Sequence, residues 1–132
     1  MLGLDTNLLV RYFAQDDRAQ SAAANRAFAA LSKTAPGFIS LIVLCELVWV
    51  LEDVYAMRKP KLVEILRTLL ESDELMIESK PLAWQAYRRF SEASLDFSDA
   101  LIVEIGSNAG CTHTLTLDKA AAKTAGFTLL KA

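Results

Sequence analysis

Four carboxylates interrupt the apolar segments of this chain: Asp5, Glu46, Asp99 and Asp118. Asp5 follows the short apolar run 1–4, and Asp118 follows 114–117. Asp99 stands three residues after Asp96, where another apolar stretch begins, and Glu46 is the only acid within 41–51. Each has an ordinary structural explanation. Asp is a preferred helix cap, so Asp5 and Asp118 suit the starts of the helices that follow them. Asp96 and Asp99 fit an acidic variant of the capping box, with Asp96 as the cap. Glu46 could occupy the one wet face of its helix or pair with a buried Arg. A helix with its neighbours is expected to face the core, where a lone carboxylate is costly unless paired, protonated or bound to metal. The four together point further. Carboxylates gathered at one edge of a sheet repel and raise one another's pKa unless a cation holds them. An all-oxygen donor set suits Mg²⁺ or Mn²⁺.

Other chemistries lack their parts. His113 is the only histidine, so no Ser-His-Asp or Cys-His arrangement and no zinc ligand spacing exists. Cys45 and Cys111 do not make a disulfide framework, and both are expected to be buried and reduced. The net charge of −2 argues against a simple nucleic-acid-binding module, unless bound cations offset the carboxylates and meet a phosphate.

The elements that must position these acids are readable from periodicity and breakers. Residues 1–4 predict a buried strand, and 6–13 a helix with Leu8, Leu9 and Tyr12 at helical spacing. Asp16 and Asp17 can cap a second helix reaching residue 32. Pro36 and Gly37 mark a break before a short strand at Phe38 and Ile39, and Ser40 stands where an N-cap belongs. Residues 41–55 predict a helix that is apolar nearly all round and therefore deeply buried. Pro60 opens a helix through Leu70 that serves the core or faces a partner. Trp49, Trp84 and Phe90 share that ambiguity. Residues 75–77 predict a strand, Pro81 opens a helix, and 97–108 predict another, stopped by Gly110. A strand at 114–117, a short helix at 119–124 and a strand at 127–130 complete the chain. Strands alternating with helices imply a parallel sheet covered on both faces, in which ligands bind beyond the carboxyl ends of the strands. The 132 residues are expected to form one domain, with no linker and no repeat. No signal peptide is visible, and 41–51 is too short to span a bilayer, so a cytoplasmic protein is expected.

The order and spacing of four short motifs carry a family resemblance. Leu4-Asp5-Thr6-Asn7 resembles the opening motif of PIN domains, and Ser40 to Leu47, with its lone Glu, resembles the second. Asp96-Phe97-Ser98-Asp99-Ala100-Leu101-Ile102 closely resembles the third. Thr116-Leu117-Asp118 resembles the fourth, where an aromatic commonly replaces Leu117. The resemblance implies a Rossmann-like α/β/α sandwich and Mg²⁺- or Mn²⁺-dependent endoribonuclease activity. Small single-domain members resemble VapC toxins, which are restrained by a cognate antitoxin and usually form homodimers. By matching position, Asp5, Glu46, Asp99 and Asp118 become the acidic quartet, and Thr6, Asn7, Ser40 and Thr116 become supporting polar groups. Asp96 is expected to cap its helix rather than bind metal.

RNA would be gripped by basic residues near the acids, with Arg11 and Lys119 as candidates beside Arg18 and Lys123. Arg58, Lys59 and Lys61 could form a second patch. Single-stranded loops are the expected target. Rival readings fare less well. A dehalogenase-like phosphatase wants a second Asp where Asn7 stands, and a receiver domain wants an acidic pair where Gly3-Leu4-Asp5 offers one acid. A non-catalytic PIN-like binding module is the remaining alternative.

Overall fold

Parallel strands cannot be joined by a tight hairpin; each pairing needs a crossover, usually helical. The computed structural model, which describes residues 1–132, shows parallel pairing throughout. The chain divides into two units, Met1–Lys80 and Pro81–Ala132.

In the first unit, β1 (Leu2–Gly3) pairs with β2 (Gly37–Ile39), which pairs with β3 (Leu75–Ile77). The register sets Gly3 beside Phe38 and Phe38 beside Met76. α1 (Thr6–Ala14) and α2 (Arg18–Ala29) make the first crossover, and α3 (Leu41–Asp53) and α4 (Lys59–Glu71) the second. α1 packs on α2 and α3, and α3 packs on α4. Tyr12 of α1 stacks on Phe28 of α2, with ring centroids 3.9 Å apart. Leu9, Ile39, Leu44, Leu47, Leu51, Leu62 and Leu66 are wholly buried. Each such side chain contributes about 1.5–3 kcal/mol relative to exposure.

In the second unit, α5 (Lys80–Glu92) and α6 (Phe97–Asn108) precede β4 (Thr114–Thr116), a single 3₁₀ turn at Ala121–Lys123, and β5 (Phe127–Leu129). β4 and β5 pair with Thr114 beside Phe127. Phe90 of α5 meets Phe97 of α6 edge to face at 5.7 Å. Arg89 binds the Glu104 carboxylate and also donates to the Ala125 carbonyl, tying α5, α6 and the approach to β5 together. Gly126 sits at φ +96°, and a Cβ there would fall 2.6 Å from Val103 Cγ2. Gly110 follows α6 at φ +101°, as expected of a helix stop. The fold class is α/β with parallel strands, the Rossmann-like class expected from the sequence.

Several expectations need correction. β1 is not buried: Leu2 is 69% exposed at the edge of its sheet, and of that segment only Leu4 joins the core. α3 is not buried all round. It buries Leu44, Leu47, Val48 and Leu51, while Ile42, Glu46, Trp49 and Asp53 form an exposed stripe at spacings of three and four. Within that stripe Ile42 is 72% exposed and Trp49 60%. Composition hid the two faces because apolar residues occupy both. α4 serves the core through Leu62, Ile65, Leu66, Leu69 and Leu70. Cys111 is exposed and Cys45 half-buried, and no disulfide joins them. The helix expected at 119–124 shrinks to the 3₁₀ turn.

Candidate active site

Asp5 leaves β1 two residues beyond its end and becomes the N-cap of α1. Its Oδ1 accepts the Thr6 amide N–H at 2.8 Å. The Thr6 hydroxyl in turn donates to Glu46 Oε1 at 2.7 Å. One residue thus connects two acids that lie far apart in sequence. Glu46 is aimed by α3, whose first turn is fixed twice. Ser40 Oγ accepts the Val43 N–H at 3.2 Å, and Glu78 Oε1, from beyond β3, accepts the Leu41 N–H at 2.9 Å. Ser40 therefore acts on the site by starting the helix. Glu46 is exposed, which overturns the expectation of a carboxylate in the core. The wet face of α3 explains its tolerance, so burial cost is no argument for a metal there.

Asn7 is exposed and lines a cleft of ≈ 330 Å³ with Asp5, Leu8, Arg11 and Gln20. Arg11 is engaged inside the unit. Its Nε donates to Gln20 Oε1 at 2.7 Å, and its Nη1 to Asp16 at 2.9 Å and to the Tyr55 hydroxyl at 2.9 Å. The Tyr55 hydroxyl donates to Asp16 Oδ2 at 2.6 Å. The Tyr55 hydrogen bond, followed by that from Arg11, holds the Asp16 carboxyl below the usual range against an opposing desolvation. Asp16 and Tyr55 hold Arg11 in place, a role sequence reasoning did not assign them.

In the second unit, Asp99 lies in the first turn of α6 and is half-buried. Burial raises its pKa most, and the negative fields of Asp96 and Asp118 raise it further. Asp96 occupies the N-cap position, yet its side chain makes no capping bond. That corrects its expected role and leaves its charge directed at Asp99. The i, i+3 spacing that suggests a capping box instead sets both acids close together at the helix start. Asp118 lies two residues past β4. Its Oδ1 accepts the Ala120 N–H at 2.8 Å, and Thr116 Oγ1 accepts the Asp118 N–H at 3.0 Å. Asp118 thus holds the turn that leads into the 3₁₀ segment, and Thr116 fixes the bend that presents it. Lys119 is exposed beside it, and Lys123 lines a separate cleft with Ser94 and Thr124.

Divalent hard cations fit the motif acids of each unit in kind. Asp5 and Glu46 in the first unit, and Asp99 and Asp118 in the second, offer only oxygen donors; Asp5 and Asp118 each commit Oδ1 to a backbone N–H, while a carboxylate offers about four lone-pair sites. Crowded negative charge around Asp99 is what a cation would relieve. Within either unit, no three His, Cys, Asp or Glu side chains gather closely enough to form a metal cage alone.

The molecule is thus a parallel α/β protein with acids presented beyond the carboxyl ends of its strands. The PIN domain family model matches residues 3–127, and the chain belongs to that family. PIN domains are generally metal-dependent nucleases and typically bind divalent metals. No curated protein matches the chain.

Proposed function

We infer that the protein is a Mg²⁺- or Mn²⁺-dependent endoribonuclease, a single PIN domain over residues 1–132, acting as the toxin of a VapBC-like toxin–antitoxin system. The observation that carries the reading is the pairing of the motif acids. Asp5 and Glu46 share Thr6 as a common hydrogen-bond partner, and Asp99 lies in the field of Asp118. Asp5, Glu46, Asp99 and Asp118 would hold the cation. When bound, it supplies charge neutralisation at the phosphodiester and eases ionisation of water.

The chain's own residues do the rest. Thr6 fixes the rotamer of Glu46 by its hydroxyl, and Thr116 and the capping bonds fix Asp118. Asp99 or Asp118, each a carboxylate held at the start of its helix or turn, would orient or deprotonate the attacking water. Lys119 supplies an exposed cation for the RNA backbone, and Arg11 acts nearer Asp5 through the contacts it orders. A VapB-like antitoxin, a homodimeric state and cytoplasmic action belong to the same reading. No helix is long and apolar enough to cross a membrane.

The test is incubation of structured RNA with the protein in Mg²⁺ or in chelator, beside Asp99→Asn. Metal-dependent cleavage by the wild type and its loss in the variant are expected. Growth arrest on expression, relieved by the protein encoded next to it, would support the toxin role. The second reading, a non-catalytic PIN-like binding module, is favoured by the lack of a three-carboxylate cage within either unit. RNA left intact across several substrates and both metals would select it.

A further inference from the structure

The cleft formed by α1 and α2 has features that neither the acids nor the fold require. All its lining residues belong to the first unit. Its volume of ≈ 330 Å³ falls at the small end of the range of ligand pockets, roughly 300–1,000 Å³. Leu8, Ala23 and Ala24 give it apolar walls, and the amides of Asn7 and Gln20 give it hydrogen-bonding groups. Apolar walls with a few amides suit a heterocycle with a polar edge.

The Gln20 amide is oriented by chemistry. Arg11 has donors only, so the Gln20 oxygen must face its Nε at 2.7 Å. That leaves Nε2, a donor, as the group Gln20 can offer a ligand. Arg11 is itself held by Asp16 and Tyr55, so the amide is set before any ligand arrives. The charge in the cleft points the same way. Arg11 is paired with Asp16 at 2.9 Å, and the Asp5 carboxylate stands at the cleft wall. With its one cationic side chain already paired, the cleft offers a ligand hydrogen bonds and apolar walls rather than a free charge, which suits a neutral ring.

We propose that this cleft is a nucleobase subsite, in which Gln20 Nε2 donates to an acceptor on the base edge and the next phosphodiester lies toward Asp5. The inference deepens the ribonuclease reading and rests on it. Arg11 is then a positioning residue that acts through Gln20, and base preference beside the cleaved bond is set here.

The experiment titrates the full chain, in chelator, with each nucleoside 5′-monophosphate and with ribose 5-phosphate, following amide NMR signals. The Gln20 side-chain amide is expected to shift saturably with at least one nucleotide and not with ribose 5-phosphate. Ala23→Phe, which fills the cleft from an exposed helical position, abolishes that saturation. Gln20→Glu keeps an acceptor for Arg11 but loses the donor. It lowers the preference for nucleotide over ribose phosphate about 3- to 10-fold, the worth of one hydrogen bond. Taking that ratio cancels the added charge, and thermal unfolding shows that both variants fold. Equal response to ribose 5-phosphate, or nucleotide binding unchanged in Ala23→Phe, overturns the subsite. Such a result with normal RNA cleavage sinks the subsite and spares the nuclease. Base-selective binding without metal-dependent cleavage keeps the subsite and sinks the nuclease.

Discussion

At the scale of single residues, Asp99 and Asp16 are carboxylates with opposite thermodynamic signs. Asp99 has a raised pKa in the fold, so the folded state prefers its neutral form. Its contribution to stability is present below the unfolded value, about 3.9, and is lost as pH rises through the folded one. Asp99→Asn should therefore raise the Tm at pH 7 in chelator while abolishing cleavage, and the gain over wild type should vanish toward pH 4. Asp16 has a lowered pKa, first through Tyr55 and then through Arg11. It stabilises above about pH 3.9 and loses that effect as pH falls through the folded value. Asp16→Asn should lower the Tm at pH 7, with the difference shrinking on acidification; a constant difference across pH 2–7 would refute the assignment. Asp5 and Asp118 were legible because strand-end placement is a local property, and Glu46 because it is the lone acid of the apolar run 41–51. Asp96 was misread because its residue type favours capping, whereas its side chain leaves the N-cap bond unmade. Gln20, Tyr55 and Asp16 carry no local signal: Arg11 joins them only once α1, α2 and the segment after α3 pack together.

At the scale of elements, the helix starts govern how the acids are held. Ser40→Ala should cost about 1 kcal/mol, the usual worth of an N-cap, measured by urea denaturation. It should also weaken cleavage by loosening α3, which carries Glu46. Gly126→Ala should destabilise by about 1–3 kcal/mol, the range for strained backbone positions, because φ +96° and Val103 both oppose a Cβ. An unchanged midpoint would show that the approach to β5 yields easily. Capping chemistry was readable in advance: Ser40 and Asp17 cap where their types and positions predicted. The span of α6, Phe97–Asn108, was also readable, bounded by Asp96 before it and Gly110 after it. The two faces of α3 were not, since Ile42 and Trp49 are as apolar as the Leu residues behind them. The Arg89–Glu104 pair was equally hidden, because it forms between separate helices.

At the scale of the whole molecule, the proposed function asks a chain of net charge −2 to approach a polyanion. RNA affinity should rise with Mg²⁺ and fall with monovalent salt, and Lys119→Ala should flatten the slope of log K against log salt by about 0.7 for a single-strand substrate. Filter binding with Asp99→Asn, which separates affinity from turnover, measures both. The bond between Glu78 and the first amide of α3 has a consequence for the route RNA takes. Helix beginnings often attract phosphates by their exposed amides. Here a carboxylate side chain already sits on that spot, reaching from just past β3, the strand that neighbours β2. A phosphodiester would be turned away from α3's threshold, and under the proposed function a strand passing Glu46 would run along the helix flank.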